Sequence, residues 1–268
     1  MIDKTFKFDV RVGLEHYFPS LSNLIVGDIR WTSLNKIFNQ RFEAECKRWE
    51  RGETFEKRIS IFDVSVSAVN GNDEHKELRL FIDNVFKSLS LLLTLQEKQK
   101  IKKNIANLLQ YDHEFLNYFG ELCVLNCLMK GNLYRLVNTE YKKNKNGKGI
   151  DFHLQEIDTS NNIFVEVVNI ELRADKLIDF DTTRKFLSRK LTAKLVDTDK
   201  SGMTDYHLIP VVWGGKEDLE NINKLKNFIE QTDFKLDRVT DPMVYQILEK
   251  GGNSFSKFDF IRTCQIIG

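Results

Sequence analysis

The sequence runs to 268 residues with 40 Lys and Arg against 39 Asp and Glu, a formal net charge of +1, and is 41% hydrophobic and 29% charged. That is one large domain or two small ones with enough apolar material for a core, which excludes the disordered and fibrous classes. The near-neutral balance also excludes a wholesale basic surface, so any site for a polyanion must come from local segregation of charge.

The first hundred or so residues read as mixed strands and helices. Phe6, Phe8, Val10 and Val12 alternate with Lys7, Asp9 and Arg11, and Phe62, Val64, Val66 and Ala68 repeat the period of two, so both stretches predict half-buried strands. Residues 33–51 predict an amphipathic helix with Leu34, Ile37, Phe38, Phe42 and Cys46 on one side and Gly52 beyond its end. After the turn Asn70-Gly71-Asn72, two more helices are predicted over 78–95 and 98–109. Residues 1–110 are expected to form an α+β accessory region and 111–268 a second region, a boundary that no shift in composition marks.

In the second half, 112–130 predicts a helix with Phe115, Phe119, Leu122, Leu125 and Met129 as its stripe and Gly131 as its stop. Three strands follow, over 133–141, 150–157 and 162–170, separated by the turn-rich segments 144–149 and 158–161. A helix over 182–196, an apolar strand over 207–213 ended by Gly214-Gly215, and a helix over 219–229 complete the order α-β-β-β-α-β-α.

Several function classes find no support. Cys46, Cys123, Cys127 and Cys264 lack the spacing of a disulfide framework or a zinc ribbon, which suits a reducing cytoplasm, and Cys123 and Cys127 read as buried apolar residues. Met1 to Asp9 carries charges throughout and no long apolar core, and the densest apolar run, 89–95, is far below membrane-spanning length, so neither export nor membrane insertion is expected. Neither a Gly-x-Gly-x-x-Gly turn, a Gly-Lys-Ser/Thr phosphate loop nor a Gly-x-Ser-x-Gly elbow occurs.

Three acids stand at telling places: Glu121 in the 112–130 helix, Asp151 at the start of the second strand and Glu166 in the middle of the third. Glu166 lies inside Ile163-Phe164-Val165-Glu166-Val167-Val168, where a buried carboxylate must be paired, hydrogen-bonded or bound to a metal. If Ile157 pairs with Asn162, Glu166 lies opposite His153, and Asp151 shares its face. Two converging carboxylates suit a hard divalent ion such as Mg²⁺, with Mn²⁺ as a substitute. His153 shares the same face and is a candidate ligand, base or structural residue.

Local charge supports a polyanion partner. Residues 142–148 hold Lys142, Lys143, Lys145 and Lys148 and no acid, and 184–200 hold six bases against two acids. Between them, 151–181 hold eight acids against two bases, so an acidic stretch is flanked by basic ones able to take phosphates.

The order helix, three-strand meander, helix, strand, with Glu121, then Gly149-Ile150-Asp151, then Val165-Glu166-Val167-Val168, resembles the PD-(D/E)XK nuclease superfamily. The resemblance implies a restriction-endonuclease-like core with a mixed sheet and a Mg²⁺-dependent endonuclease acting on DNA. It assigns Asp151 and Glu166 to the metal, Val167 to a carbonyl ligand and Glu121 to a helical acid. A homodimer is the expectation for a cutter of both strands. Ile150 stands where the motif has proline, and Val168 where it has lysine. Asn169 points to the opposite face of a regular strand and cannot replace that lysine. Lys190, or Lys194 one turn later beside Leu187, Leu191 and Leu195, is the expected substitute. The alternative is a nucleic-acid-binding or protein-assembly module that keeps the fold and does not cut. Arg30, Trp31 and Trp49 are candidates to face substrate or to pack in the core.

Overall fold

The computed structural model describes residues 7–27, 29–52, 60–110, 114–143, 149–172, 174–200, 202–215, 218–232 and 235–261. The chain divides into two compact units, Met1–Leu122 and Cys123–Gly268.

Among the described residues, every element of the first unit is a helix: α1 (Val10–Tyr17), α2 (Pro19–Leu24), α3 (Trp31–Glu50), α4 (Ile61–Val69), α5 (Asp73–Leu92), α6 (Leu95–Lys100) and α7 (Lys102–Gln110). The two strands expected here are helices instead. Asp9 caps α1 by accepting the N–H groups of Arg11 and Val12, and α1 buries Val10, Gly13 and Leu14 at helical spacing while Val12 is 62% exposed. A Cβ at Gly13 would collide with the Phe8 ring, which packs on Phe38 and Phe62. Phe6 lies outside the described residues.

The α4 stretch opens with a reciprocal cap: Ser60 Oγ accepts the Asp63 N–H at 3.1 Å, and Asp63 Oδ2 accepts the Ser60 N–H at 2.8 Å. It buries Ile61, Phe62, Val64 and Ser65, a helical stripe, and leaves Val66 half exposed to solvent. The Asn70-Gly71-Asn72 turn is present, with Gly71 at φ +94° and Asn72 capping α5 through the His75 N–H.

Helix α8 (Phe115–Met129) carries the division between the units. The second unit then builds a six-stranded mixed sheet in the order β1-β2-β3-β4-β5-β6 from β1 (Tyr134–Tyr141), β2 (Ile150–Glu156), β3 (Asn162–Glu171), β4 (His207–Trp213), β5 (Met243–Lys250) and β6 (Asn253–Phe260). Helix α9 (Phe180–Asp199) connects β3 to β4, and α10 (Leu219–Thr232) lies between β4 and β5. The class is α/β, as expected. Pairing is antiparallel for β1-β2-β3 and β5-β6 and parallel for β3-β4-β5. Leu187 and Leu191 of α9 and Ile222, Leu225 and Phe228 of α10 bury against Ile170, Leu208, Val212 and Val244 of the sheet.

The β2–β3 register differs from the expected one by two residues: Gln155 pairs with Asn162, and Phe152 with Val165. The turn forms one residue earlier because Glu156 organises it. Its carboxylate accepts from Thr159 Oγ1 and Asn161 Nδ2, and its N–H donates to the Asn161 carbonyl at 2.9 Å. A shift of two in register keeps every side chain on its expected face.

The C-terminus of α9 is tied to the segment before β5. Asp199 accepts two bonds from the Arg238 guanidinium, at 2.6 and 3.1 Å, and one from Tyr206 Oη at 3.1 Å. The Arg238 hydrogen bond, ahead of the others, holds the Asp199 carboxyl below its usual range. Burial, then the bond to Asp199, pushes the Tyr206 phenol up to about 12. Because the folded pKa of Asp199 is the lower one, its contribution is present above about pH 4 and is lost as pH falls through the folded value. Asp199→Asn is therefore expected to flatten the acid limb of stability below about pH 4 and to lower stability only modestly at pH 7, a difference readable by urea unfolding at both pH values.

Candidate functional site

The β2–β3 ladder stops at Phe152 and Val165, and the next two positions are Asp151 and Glu166. There the carboxylates take over backbone N–H groups: Asp151 Oδ2 accepts the Val167 N–H at 2.7 Å, and Glu166 Oε2 accepts the Asp151 N–H at 3.2 Å. Gly149 lets the start of β2 run close to β1, since a Cβ there would stand 2.9 Å from the Glu140 carbonyl oxygen. The two expected metal acids are thus direct cross-strand neighbours, and His153 lies one pleat further along.

Glu166 is fully buried, at 0% exposure, and its Oε1 lies 2.7 Å from Lys194 Nζ. A buried charge needs such a partner. Helix α9 supplies it because Leu187 and Leu191 anchor the helix on the sheet and Lys194, three residues beyond Leu191, follows the same side. Lys190, the substitute preferred from sequence, is exposed; the lysine that reaches the acid is Lys194. Asn169 is engaged elsewhere, accepting from Trp213 Nε1 at 2.8 Å.

Glu121 sits on α8 and accepts from Asn104 Nδ2 of α7 at 2.8 Å, within the first unit, whereas Asp151 and Glu166 belong to the second. Lys142 and Lys143 are exposed at the end of β1, and Lys145 and Lys148 lie outside the described residues. Arg30 is exposed, Trp31 opens α3 half-buried, and the Trp49 side chain is outside the described set. Burial, ahead of the other influences, pushes the Cys123 and Cys127 thiols up, Cys127 to about 11, so neither is a ready thiolate.

The donor set at Asp151 and Glu166 is two carboxylates with the Val167 backbone beside them. Among the described residues no cluster of three or more His, Cys, Asp or Glu is placed to hold a metal. A cavity of about 480 Å³ opens elsewhere, between Leu187, Leu191, Pro210, Ile229 and the segment 235–242, and neither acid lines it.

Sequence reasoning does not find the rings around His153. Tyr141 and Phe164 pack with it at centroid distances of 5.0 and 4.6 Å, and with each other at 5.1 Å. The only sequence signal is their place on adjoining strands, and it becomes readable once the register is known.

Among the described residues no helix is long and apolar enough to cross a membrane. No protein-family model matches the sequence, and no curated protein does. A solved structure of SfsA from Pyrococcus furiosus in complex with Ca²⁺ is similar at 14% identity and a TM-score of 0.26, over 56% of this chain and 64% of that one. The chain therefore spans less than two thirds of that protein, and a likeness so slight bears on neither the site nor its chemistry.

Proposed function

We propose that the chain is a divalent-metal-dependent nuclease that hydrolyses phosphodiester bonds in DNA, with a PD-(D/E)XK-like site on β2 and β3. The observation that carries this reading is the apposition of Asp151 and Glu166 at the point where their strands part, with Lys194 closing on Glu166. An all-oxygen set of two carboxylates and a carbonyl fits a hard ion that keeps several waters, such as Mg²⁺ or Mn²⁺. Asp151, Glu166 and the Val167 carbonyl would hold it; when bound, such an ion lowers the pKa of water and offsets charge on a phosphodiester.

In this reading Lys194, 2.7 Å from Glu166, supplies the cation that Val168 does not and would donate to an attacking water or a phosphate oxygen. Lys142 and Lys143, with Lys145 and Lys148 of the same run, contact phosphates without reading sequence. Plasmid and single-stranded DNA are expected to be cut with Mg²⁺ or Mn²⁺ and not with a chelator. Asp151→Ala and Glu166→Ala are each expected to reduce cleavage to background; no cleavage by the parent protein, or cleavage surviving both substitutions, overturns the reading.

A second reading is favoured by the same ion pair. The Lys194 ammonium lies 2.7 Å from Glu166 Oε1, which is also where a purely structural countercharge would sit. In that case the chain is a nucleic-acid-binding module that does not cut, and DNA binding would persist with no heat of Mn²⁺ binding in calorimetry.

A further inference from the structure

We propose that Tyr141, His153 and Phe164 form a stacking platform for an unpaired nucleobase, so that the strand engaged beside Asp151 and Glu166 is single-stranded DNA. The proposal rests on the reading above only in taking the ligand to be a nucleic acid. Three adjoining strands each supply one ring: Tyr141 from the end of β1, His153 from β2 and Phe164 from β3. All three rings are half-buried, and His153 and Phe164 stack at an interplanar angle of 23°.

Their place in the sheet ties them to the acids. His153 and Phe164 are a cross-strand pair two residues from Asp151 and Glu166 on the same face, about 7 Å along the strands. Tyr141 leads directly into the exposed Lys142 and Lys143. Bases on rings with phosphates on lysines is the composition of a single-strand track, in which every base has a face to stack whatever its sequence. The base cannot stack in this way while it is paired within a duplex.

His153 adds a polar element. Its Nε2 is 2.9 Å from Asn162 Oδ1 on the solvent side, while Nδ1 is buried and makes no hydrogen bond among the described residues. The Asn162 contact holds the ring plane in the orientation that stacks on Phe164. A ring kept only for its charge would not need that fixing.

The test uses the full chain in chelated buffer at one fixed salt concentration, so that binding is read without cleavage. Fluorescence anisotropy compares a labelled oligothymidylate with an abasic strand of equal length and charge. The parent protein is expected to bind the strand with bases roughly 5- to 100-fold more tightly. Tyr141→Leu should erase that preference while leaving abasic affinity unchanged, and Tyr141→Phe should retain it. An unlabelled duplex should compete no better than the abasic strand.

Equal binding of the two strands by the parent protein overturns the platform, as does an equal loss on both strands in Tyr141→Leu. If Tyr141→Leu fails to fold by circular dichroism, His153→Leu makes the same comparison. A protein that discriminates bases yet never cuts would refute the nuclease and keep the platform. One that cuts without discriminating would do the reverse.

Discussion

Replacing Lys194 by Met is expected to lower DNA cleavage by about 10²- to 10⁴-fold, whereas Lys190→Met should change it by no more than about twofold. The two lysines lie one turn apart on α9, but only Lys194 approaches the acids, with Nζ 2.7 Å from Glu166 Oε1 and a side chain 22% exposed. Lys190 is exposed, where substitution removes a solvated charge and little else. Loss of activity alone would also follow from misfolding, so the informative measurement pairs kcat with Mn²⁺ affinity. Removing a cation from beside Glu166 favours a second cation there, and Lys194→Met should therefore bind Mn²⁺ at least as tightly as the parent while cutting far more slowly. A variant that loses ion and activity together would make Lys194 a scaffold for the site. A large loss in Lys190→Met would restore Lys190 as the substitute cation.

Periodicity could not choose between these lysines, and the reason is physical. Lys190 stands three residues after Leu187, and Lys194 three after Leu191, so both border the same apolar stripe. What decides is how far along β3 the helix has travelled when each lysine passes Glu166, a tertiary quantity. The meander, α9 and β4 were legible because their apolar patterns are bounded by turns and match their environment. Strand β4 buries Leu208 to Val212 without interruption, as a central parallel strand should.

The failures in the first unit have a common origin. In Phe62, Val64, Val66 and Ala68, small polar residues between apolar ones imitate a period of two, although Ile61, Val64 and Ser65 complete a helical stripe. The cap at Ser60 and Asp63 was the discriminating signal, because a strand has no use for it. The β5–β6 hairpin was not among the expected elements, although the sequence carries its signal. Gly251-Gly252 separates two β-rich runs, both glycines have positive φ, at +59° and +78°, and Lys250 pairs with Asn253. A two-residue loop of that kind matches strand twist only with residues that tolerate left-handed backbone. The exact β2–β3 register was not legible, since a turn of the same length can form one residue either way until Glu156 selects it. The facing of Asp151 and Glu166 survived the error because the shift was even.

The second large effect concerns stability and tests whether the Lys194–Glu166 pair is a structural necessity or a feature of the chemistry. Lys194→Met leaves a fully buried carboxylate without its countercharge and is expected to destabilise the second unit by about 2–3 kcal/mol, less than for a wholly buried pair because the lysine is partly solvated. Glu166→Gln keeps the shape and an acceptor for the Asp151 N–H, so the double variant Glu166→Gln/Lys194→Met should recover to within about 1 kcal/mol of the parent. Urea unfolding followed by Trp213, in a Trp31→Phe/Trp49→Phe background, reports the unit that holds the site. Mn²⁺ then divides the two accounts. An ion held by Asp151 and Glu166 substitutes for the missing ammonium, so it should stabilise Lys194→Met more than the parent, by mass action on the folded state. If the double variant remains as unstable as Lys194→Met alone, the lysine acts through packing rather than charge. If Mn²⁺ stabilises neither protein, the carboxylate pair is an internal salt-bridge network, and the second reading of its function replaces the first.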